Sequence, residues 1–224
     1  MAKDLAIVLN NGSINSAVTT ALAAQKFRPI LLWAEMTPAQ QSGSRQRAAY
    51  DMQVAHFKPY REHTLPMPWV SMVQKHGQTG VVTAAASDPR MPAALAPQMI
   101  ELLPLVGAAA RFAAHYGAAA IYLGLRVGGG GDDLARATEY VQIWNEMLQL
   151  PCAQGELEVL TPLLELEQWQ VVDVGFQVGA PFDRTWSCHE GSSEPCWACR
   201  GCRAREAAFT QSGKADPMRV VRKL

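Results

Sequence analysis

Short apolar runs alternate with stretches of helical periodicity along this chain, and each run has the length of a buried strand. The predicted strands are Leu5–Leu9, Ile30–Trp33, His63–Leu65, Ala119–Leu123 and Val159–Leu160. Helical spacing of apolar positions follows or precedes these runs and predicts helices near 17–25, up to about 57, 98–116, 132–148 and 166–176. The alternation predicts an α/β fold with a doubly wound, mostly parallel sheet.

Local signals mark the ends of several predicted helices. Thr37 followed by Pro38 is typical of an N-terminal cap and first helical position, so we expect a helix from there to about Phe57. Gly117 is expected to end the helix of 98–116. Asp132 or Asp133 is expected to cap the helix after the glycine run.

Length and charge restrict the architecture and the partners. The 224 residues suit a single α/β domain over 1–224. Twenty basic and twenty acidic side chains cancel, so no net field favours nucleic acid or an anionic membrane. The first apolar run is too short for a signal peptide or a membrane span, and we expect a cytoplasmic protein.

Four of the five cysteines lie within fifteen residues, at Cys188, Cys196, Cys199 and Cys202. Two Cys-x2-Cys spacings let neighbouring sulfurs reach one tetrahedral ion, so the pattern predicts a zinc site. Four protein ligands leave no open coordination position, which makes the predicted zinc structural. An iron–sulfur cluster is the alternative, because three cysteines at this spacing also hold such clusters. Cys152 stands apart and is expected to be a packed small side chain.

A loop of small and polar residues, 10–16, connects the first strand to the first helix. Such a loop presents free backbone N–H groups and a helix N-terminus, which together favour an anion such as phosphate. On its own this pattern is weakly specific.

Motifs in the C-terminal half make the interpretation of this loop more specific. Thr185-Trp186-Ser187-Cys188 and the Pro195–Arg203 segment with its three cysteines resemble the zinc-binding end of the 7-cyano-7-deazaguanine synthase family. Leu160-Thr161-Pro162-Leu163 resembles the segment that precedes it. The resemblance implies an adenine nucleotide α hydrolase-like fold, a zinc-binding segment over 185–209 and a homodimer. It also implies ATP-dependent conversion of 7-carboxy-7-deazaguanine to the nitrile, on the way to queuosine, with Mg²⁺.

The family's phosphate loop, Ser-Gly-Gly-x-Asp-Ser, falls on Asn11–Ser16. The resemblance therefore makes five residues candidate nucleotide-binding residues: Asn11, Gly12, Ser13, Asn15 and Ser16. Only Gly12 and Ser16 are unchanged, and the family's aspartate has become Asn15.

Three more positions depart from the family if its spacing is carried over without gaps. A Pro-Gly-Arg-Asn stretch falls on 99–102 and places Glu101 where the family has arginine. A lysine falls on Gln168, and the purine-site stretch Tyr-Pro-Asp-Cys-Arg falls on 133–137. No catalytic residue is assigned, because catalysis on ATP depends on charges that these positions lack.

Three interpretations remain open at this stage. The chain performs divergent ATP-dependent deazapurine chemistry, or it is a non-catalytic scaffold that binds a nucleotide, a purine or a protein. The third is an ATP-dependent ligase with another substrate. The amide at Asn15 favours the scaffold, because a carboxylate there would favour turnover.

Overall fold

The computed structural model describes residues 4–35, 44–69, 96–129, 131–190 and 193–220. Its centre is a five-stranded sheet in which every neighbouring pair is parallel. The strands are β1 (Leu5–Leu9), β2 (Arg28–Glu35), β3 (Arg61–Pro66), β4 (Ala120–Leu123) and β5 (Glu158–Leu160). Their spatial order is β3-β2-β1-β4-β5. All five predicted strands are confirmed.

Seven α-helices occur in the described part of the chain. They are α1 (Ile14–Ala24), α2 (Arg45–Phe57), α3 (Ala96–Tyr116), α4 (Asp132–Gln149), α5 (Gln168–Gln177), α6 (Arg200–Gln211) and α7 (Pro217–Val220). A 3₁₀ turn spans Phe182–Arg184. The pattern of apolar residues did not predict α6, because the helix is rich in charged residues and buries only a few positions.

The predicted helix ends are partly right. α2 ends at Phe57 as expected, but it does not start at Thr37-Pro38, which lies outside the described residues. The helix begins at Arg45, and its N-cap is Ser44, whose side chain accepts the N–H of Arg47. Gly117 follows α3 with a φ of 64°, as a helix-stopping glycine should. Neither predicted aspartate caps α4. Its N-cap is Gly131, and Asp132 and Asp133 lie in the first turn, where carboxylates interact favourably with the helix dipole.

Both faces of the sheet are covered, which confirms the doubly wound architecture. On one face Ile7, Ile30 and Ile121 pack with residues of α3 and α4. On the other face Val8, Leu31 and Trp33 pack with residues of α1 and α2. Burying each such side chain contributes roughly 1.5–3 kcal/mol, so the sheet is the stable frame on which the loops are carried.

The C-terminal helices α5 and α6 add a further layer outside α1. Val18 of α1 packs with Val171 of α5, Phe182 of the 3₁₀ turn and Phe209 of α6. The three phenylalanines at 176, 182 and 209 form tilted and edge-to-face pairs. This layer holds α6, which carries Cys202, against the helix that follows the β1 loop.

Two further observations concern exposure. Cys152 is exposed, so the expectation that it packs inside is wrong; it lies in a turn at the end of α4 rather than on a buried face. In the described part of the chain, no helix is both long and apolar enough to cross a bilayer.

Candidate functional site

A cavity of about 330 Å³ lies at the carboxyl ends of β1, β2 and β4. The strand order reverses between β1 and β4, and parallel sheets bind their ligands in the crevice at such a switch point. One wall is apolar and includes Leu32, Leu102 and Leu123, while the opposite wall is the loop of residues 10–16. We call this cavity the switch-point cavity.

The backbone of this loop is bonded to the loop's own side chains. Asn11 N–H donates to Ser16 Oγ (3.1 Å), Gly12 N–H to Asn10 Oδ1 (2.8 Å) and Ser13 N–H to Asn11 Oδ1 (3.2 Å). Ser16 N–H donates to Ser13 Oγ (3.3 Å), which makes Ser13 the N-cap of α1. Three N–H groups of the loop before the helix, at residues 11–13, and one in the first turn of α1, at Ser16, are therefore already satisfied.

Asn15 uses both ends of its amide. Its Nδ2 donates to the carbonyl oxygen of Gly124, directly after β4 (3.3 Å), and its Oδ1 accepts from Gln168 Nε2 at the start of α5 (3.0 Å). The structure thus brings together residues 15 and 168, which are 153 positions apart in the sequence. The bonds join the loop, the end of β4 and α5.

Further contacts fix the loop to α2. Asn10 is 2% exposed and its Nδ2 donates to Gln53 Oε1 (2.9 Å), while Gln46 Nε2 donates to the carbonyl oxygen of Asn11 (2.9 Å). Gly12 has a φ of 75°, and a Cβ there would lie 2.6 Å from the carbonyl oxygen of Gln46, so only glycine fits. Sequence reasoning missed Gln46 and Gln53, although their spacing of seven puts both on one face of α2.

The charged residues around the switch-point cavity are few. Among the described residues its lining includes one acid, Glu101, and one base, Arg126. Arg126 Nη1 donates to the carbonyl oxygen of Leu166 (3.5 Å). The stretch 133–137, aligned with the family's purine site, forms the first turns of α4 and is not among the residues that line the cavity.

The four predicted metal ligands come together. The sulfurs of Cys188, Cys196, Cys199 and Cys202 all lie within 4.8 Å of one another. Sγ–Sγ distances are 3.6 Å between Cys188 and Cys196, 3.9 Å between Cys188 and Cys199, and 4.0 Å between Cys196 and Cys202. This cluster can hold a metal ion.

The pKa values of two of these thiols are shifted in opposite directions. Hydrogen bonds from the backbone N–H groups of His189 and Cys202 lower the pKa of Cys199 to about 6. Burial raises the pKa of Cys202 to about 12. Because metal ligands must be thiolates, a bound cation displaces the Cys202 proton, and we expect affinity to fall as the pH falls.

Arg205, which follows the cysteines, lies in the interior at 3% exposure. Its Nε and Nη2 donate to the two carboxylate oxygens of Asp216 (2.6 and 2.7 Å). Nη1 donates to Thr185 Oγ1 (2.7 Å) and Nη2 also to the carbonyl oxygen of Phe182 (3.0 Å). This arginine therefore ties α6 to the segment that leads into Cys188.

A second cavity of about 320 Å³ separates the loop from the cysteine cluster, and we call it the inner cavity. It shares Asn11, Ser13 and Asn15 with the switch-point cavity. Trp186 connects its two sides, because its backbone N–H donates to the carbonyl oxygen of Gly12 (2.9 Å). The loop of residues 10–16 therefore lies between the switch-point cavity and the inner cavity.

Comparison with known proteins identifies the family to which this chain is similar. A family model described as "Queuosine biosynthesis protein QueC" matches residues 5–213. The chain is 25% identical to the 7-cyano-7-deazaguanine synthase of Acidobacterium capsulatum, over 96% of both chains. It is 26% identical to that of Chlorobium chlorochromatii, over 95% of this chain and 94% of the relative. With the synthase of Koribacter versatilis the identity is 32%, over 51% of this chain and 48% of the relative.

Among solved structures, the chain is similar to the U34-tRNA thiolase NcsA from Methanococcus maripaludis with its [4Fe-4S] cluster. The TM-score is 0.47 at 11% identity, over 95% of this chain and 68% of the thiolase. That likeness is too remote to bear on the function of this chain.

Proposed function

Because this chain belongs to the queuosine biosynthesis protein QueC family, we propose that it binds a purine or purine nucleotide at the switch-point cavity and turns over ATP poorly. In this proposal the protein is a 7-cyano-7-deazaguanine synthase-like scaffold. Conversion of the carboxylated deazapurine to its nitrile is slow or absent.

The observation that carries the proposal is the self-bonded loop. A phosphate approaching the loop and the N-terminus of α1 needs backbone N–H donors. Those of residues 11–13 in the loop and of Ser16 in the first helical turn are occupied by side-chain oxygens of the loop. Phosphate oxygens must displace those acceptors before they gain anything from the helix N-terminus. We therefore expect weak triphosphate binding, which supports poor turnover.

The charges around the loop support the same conclusion. Asn15 and Gln168, aligned with an aspartate and a lysine of the family, are neutral and bonded to each other. Loss of a single contact that stabilises developing charge typically costs on the order of 10²- to 10³-fold in rate. The apolar wall of the cavity still suits a flat heterocycle.

Calorimetry with ATP and Mg²⁺, followed by a pyrophosphate-release assay with 7-carboxy-7-deazaguanine and ammonium, tests this proposal. We expect little or no pyrophosphate. A matched triple variant, Ser13→Gly with Asn15→Asp and Gln168→Lys, restores the family's residues at three positions and is expected to bind ATP more tightly. Rapid pyrophosphate release by the unmodified protein would refute the proposal.

We further propose that the metal is a single structural zinc. A tetrahedral zinc with bonds of about 2.3 Å places its sulfurs about 3.8 Å apart. Three of the six sulfur–sulfur distances, at 3.6–4.0 Å, agree with this, and all six are within 4.8 Å. An iron–sulfur cluster inserts irons and sulfides between its cysteines and holds them farther apart. Elemental analysis and the absorption spectrum distinguish the two: one zinc per chain and no visible colour are expected. Free thiols at a metal site also suit the reducing cytoplasm, where we place the protein.

The family resemblance implies a homodimer, and we retain this as a proposal. An apolar stripe on the outer face of α4 supports it: Ile143, Met147 and Leu150 follow one another at helical spacing and are 48%, 39% and 77% exposed. Light scattering should give twice the mass of one chain, and Leu150→Glu should shift the protein towards monomer. A monomeric unmodified protein would refute the dimer.

A further inference from the structure

After α6 the chain turns back towards the cysteine cluster. A turn at Gly213, which has a φ of 67°, follows the helix. Asp216 then pairs with the buried Arg205 of α6, and its Oδ1 also accepts the N–H of Met218 (3.0 Å), which fixes the start of α7. We call residues 216–220 the C-terminal strap.

The strap also contacts a residue that lies between two of the cysteines. The guanidinium carbon of Arg219 is 4.3 Å from the centroid of the Trp197 ring. Arg219 Nη2 lies 2.8 Å from Glu206 Oε1 of α6. A single side chain therefore joins the strap, α6 and residues 196–199, and we call this last segment the knuckle.

The backbone of the knuckle has a conformation that needs support. Trp197 has a φ of 55°, in the left-handed region that residues with a Cβ rarely adopt. In this turn the N–H groups of Ala198 and Cys199 donate to Cys196 Sγ, at 3.5 and 3.2 Å. Such a conformation persists where the surrounding structure holds it. The contact between Arg219 and the Trp197 ring supplies a hold of this kind.

The knuckle is also the more accessible half of the cluster. Cys188 and Cys202 are buried, whereas Cys196 and Cys199 are half-buried. A chelator in solution therefore meets the knuckle first. A metal leaves only after its thiolate ligands have been detached, so we expect movement of the knuckle to limit the rate of release.

We propose that the C-terminal strap retains the metal, because Arg219 holds Trp197 in place and thereby slows the opening of the knuckle. Both are positioning residues, since neither is a ligand. The proposal goes beyond the function proposed above and takes from it only the choice of zinc as the metal. The strap thus gives the cluster a slower metal exchange than its four cysteines alone would provide.

Transfer of zinc to an excess of a chelating dye tests the proposal, once the zinc content of each protein has been measured. Loss of a cation–π contact at a partly exposed site typically corresponds to about two- to fivefold. We expect Arg219→Ala to release zinc about three- to fivefold faster than the unmodified protein. Arg219→Lys keeps a cation over the ring and should stay within about twofold of it.

Trp197→Ala removes the same contact from the other side. Combined with Arg219→Ala, it should release zinc no faster than Trp197→Ala alone, because the contact can be lost only once. Arg28→Ala is the matched control: it removes an arginine that lies 4.4 Å from the Tyr60 ring centroid at the start of β2, and it should leave the release rate unchanged.

Three outcomes would overturn the proposal: an unchanged release rate in Arg219→Ala, effects of the two variants that multiply, or an equal acceleration in Arg28→Ala. If Trp197→Ala folds poorly, the comparison of alanine with lysine at position 219 decides. Zinc uptake with one of these outcomes refutes the strap alone. A protein that takes up no zinc refutes the zinc site and the strap together.

Discussion

Replacing Asp216 by asparagine tests whether the buried ion pair with Arg205 holds the cysteine segment in place. The two side chains are 2% and 5% exposed, and the pair is bidentate, with bonds of 2.6 and 2.7 Å. Asp216→Asn keeps the shape but turns an NH₂ group towards the guanidinium and leaves the positive charge buried without its partner. Breaking a buried pair from one side typically costs about 3–5 kcal/mol.

For a chain of this size, a loss of 1 kcal/mol lowers Tm by about 2–4 °C, so Asp216→Asn should lower it by roughly 6–20 °C. Urea unfolding and calorimetry on metal-saturated protein measure the change. Glu206→Gln on α6 is the matched control, because Glu206 pairs with Arg219 (2.8 Å) but both side chains are nearly half exposed. The control should lose about 0–1 kcal/mol. Similar losses for Asp216→Asn and Glu206→Gln would refute the reasoning.

Three further predictions concern the metal site and the loop. Gly201→Ala should weaken metal binding, because its Cβ would collide with the carbonyl oxygen of Ser187 and push α6 away from the cysteine segment; metal competition with a chelator measures this, and unchanged affinity would contradict it. Removal of the metal with EDTA should lower Tm, since metal binding adds folding free energy; an unchanged Tm would show that the cluster holds no ion. Asn15→Asp should cost about 1–3 kcal/mol, because a carboxylate oxygen replaces the donor to Gly124. Adding Gln168→Lys should recover part of that loss, and strictly additive effects in the double-mutant cycle would argue against the coupling.

The sequence predicted the parts of this protein whose signals are local. Strands such as β1 are continuous apolar runs, and the cysteine spacing is short enough to indicate a shared ion directly. The pairing of Asn15 with Gln168 was not predictable, because nothing in either neighbourhood indicates the other across 153 residues. The burial of Arg205 was not predictable either, because it depends on the ion pair with Asp216, which lies beyond the end of α6.

The same long-range contact bears on how the loop came to be neutral. By resemblance to the family, position 15 holds an aspartate and position 168 a lysine, and the structure brings the residues of these two positions within 3.0 Å. Replacing one alone would leave a half-buried charge without its partner, whereas replacing both by amides keeps a hydrogen bond at the same place. In this chain the two amides make that hydrogen bond to each other. Under the function proposed above, they hold the loop to α5 without supplying the charges that stabilise a triphosphate.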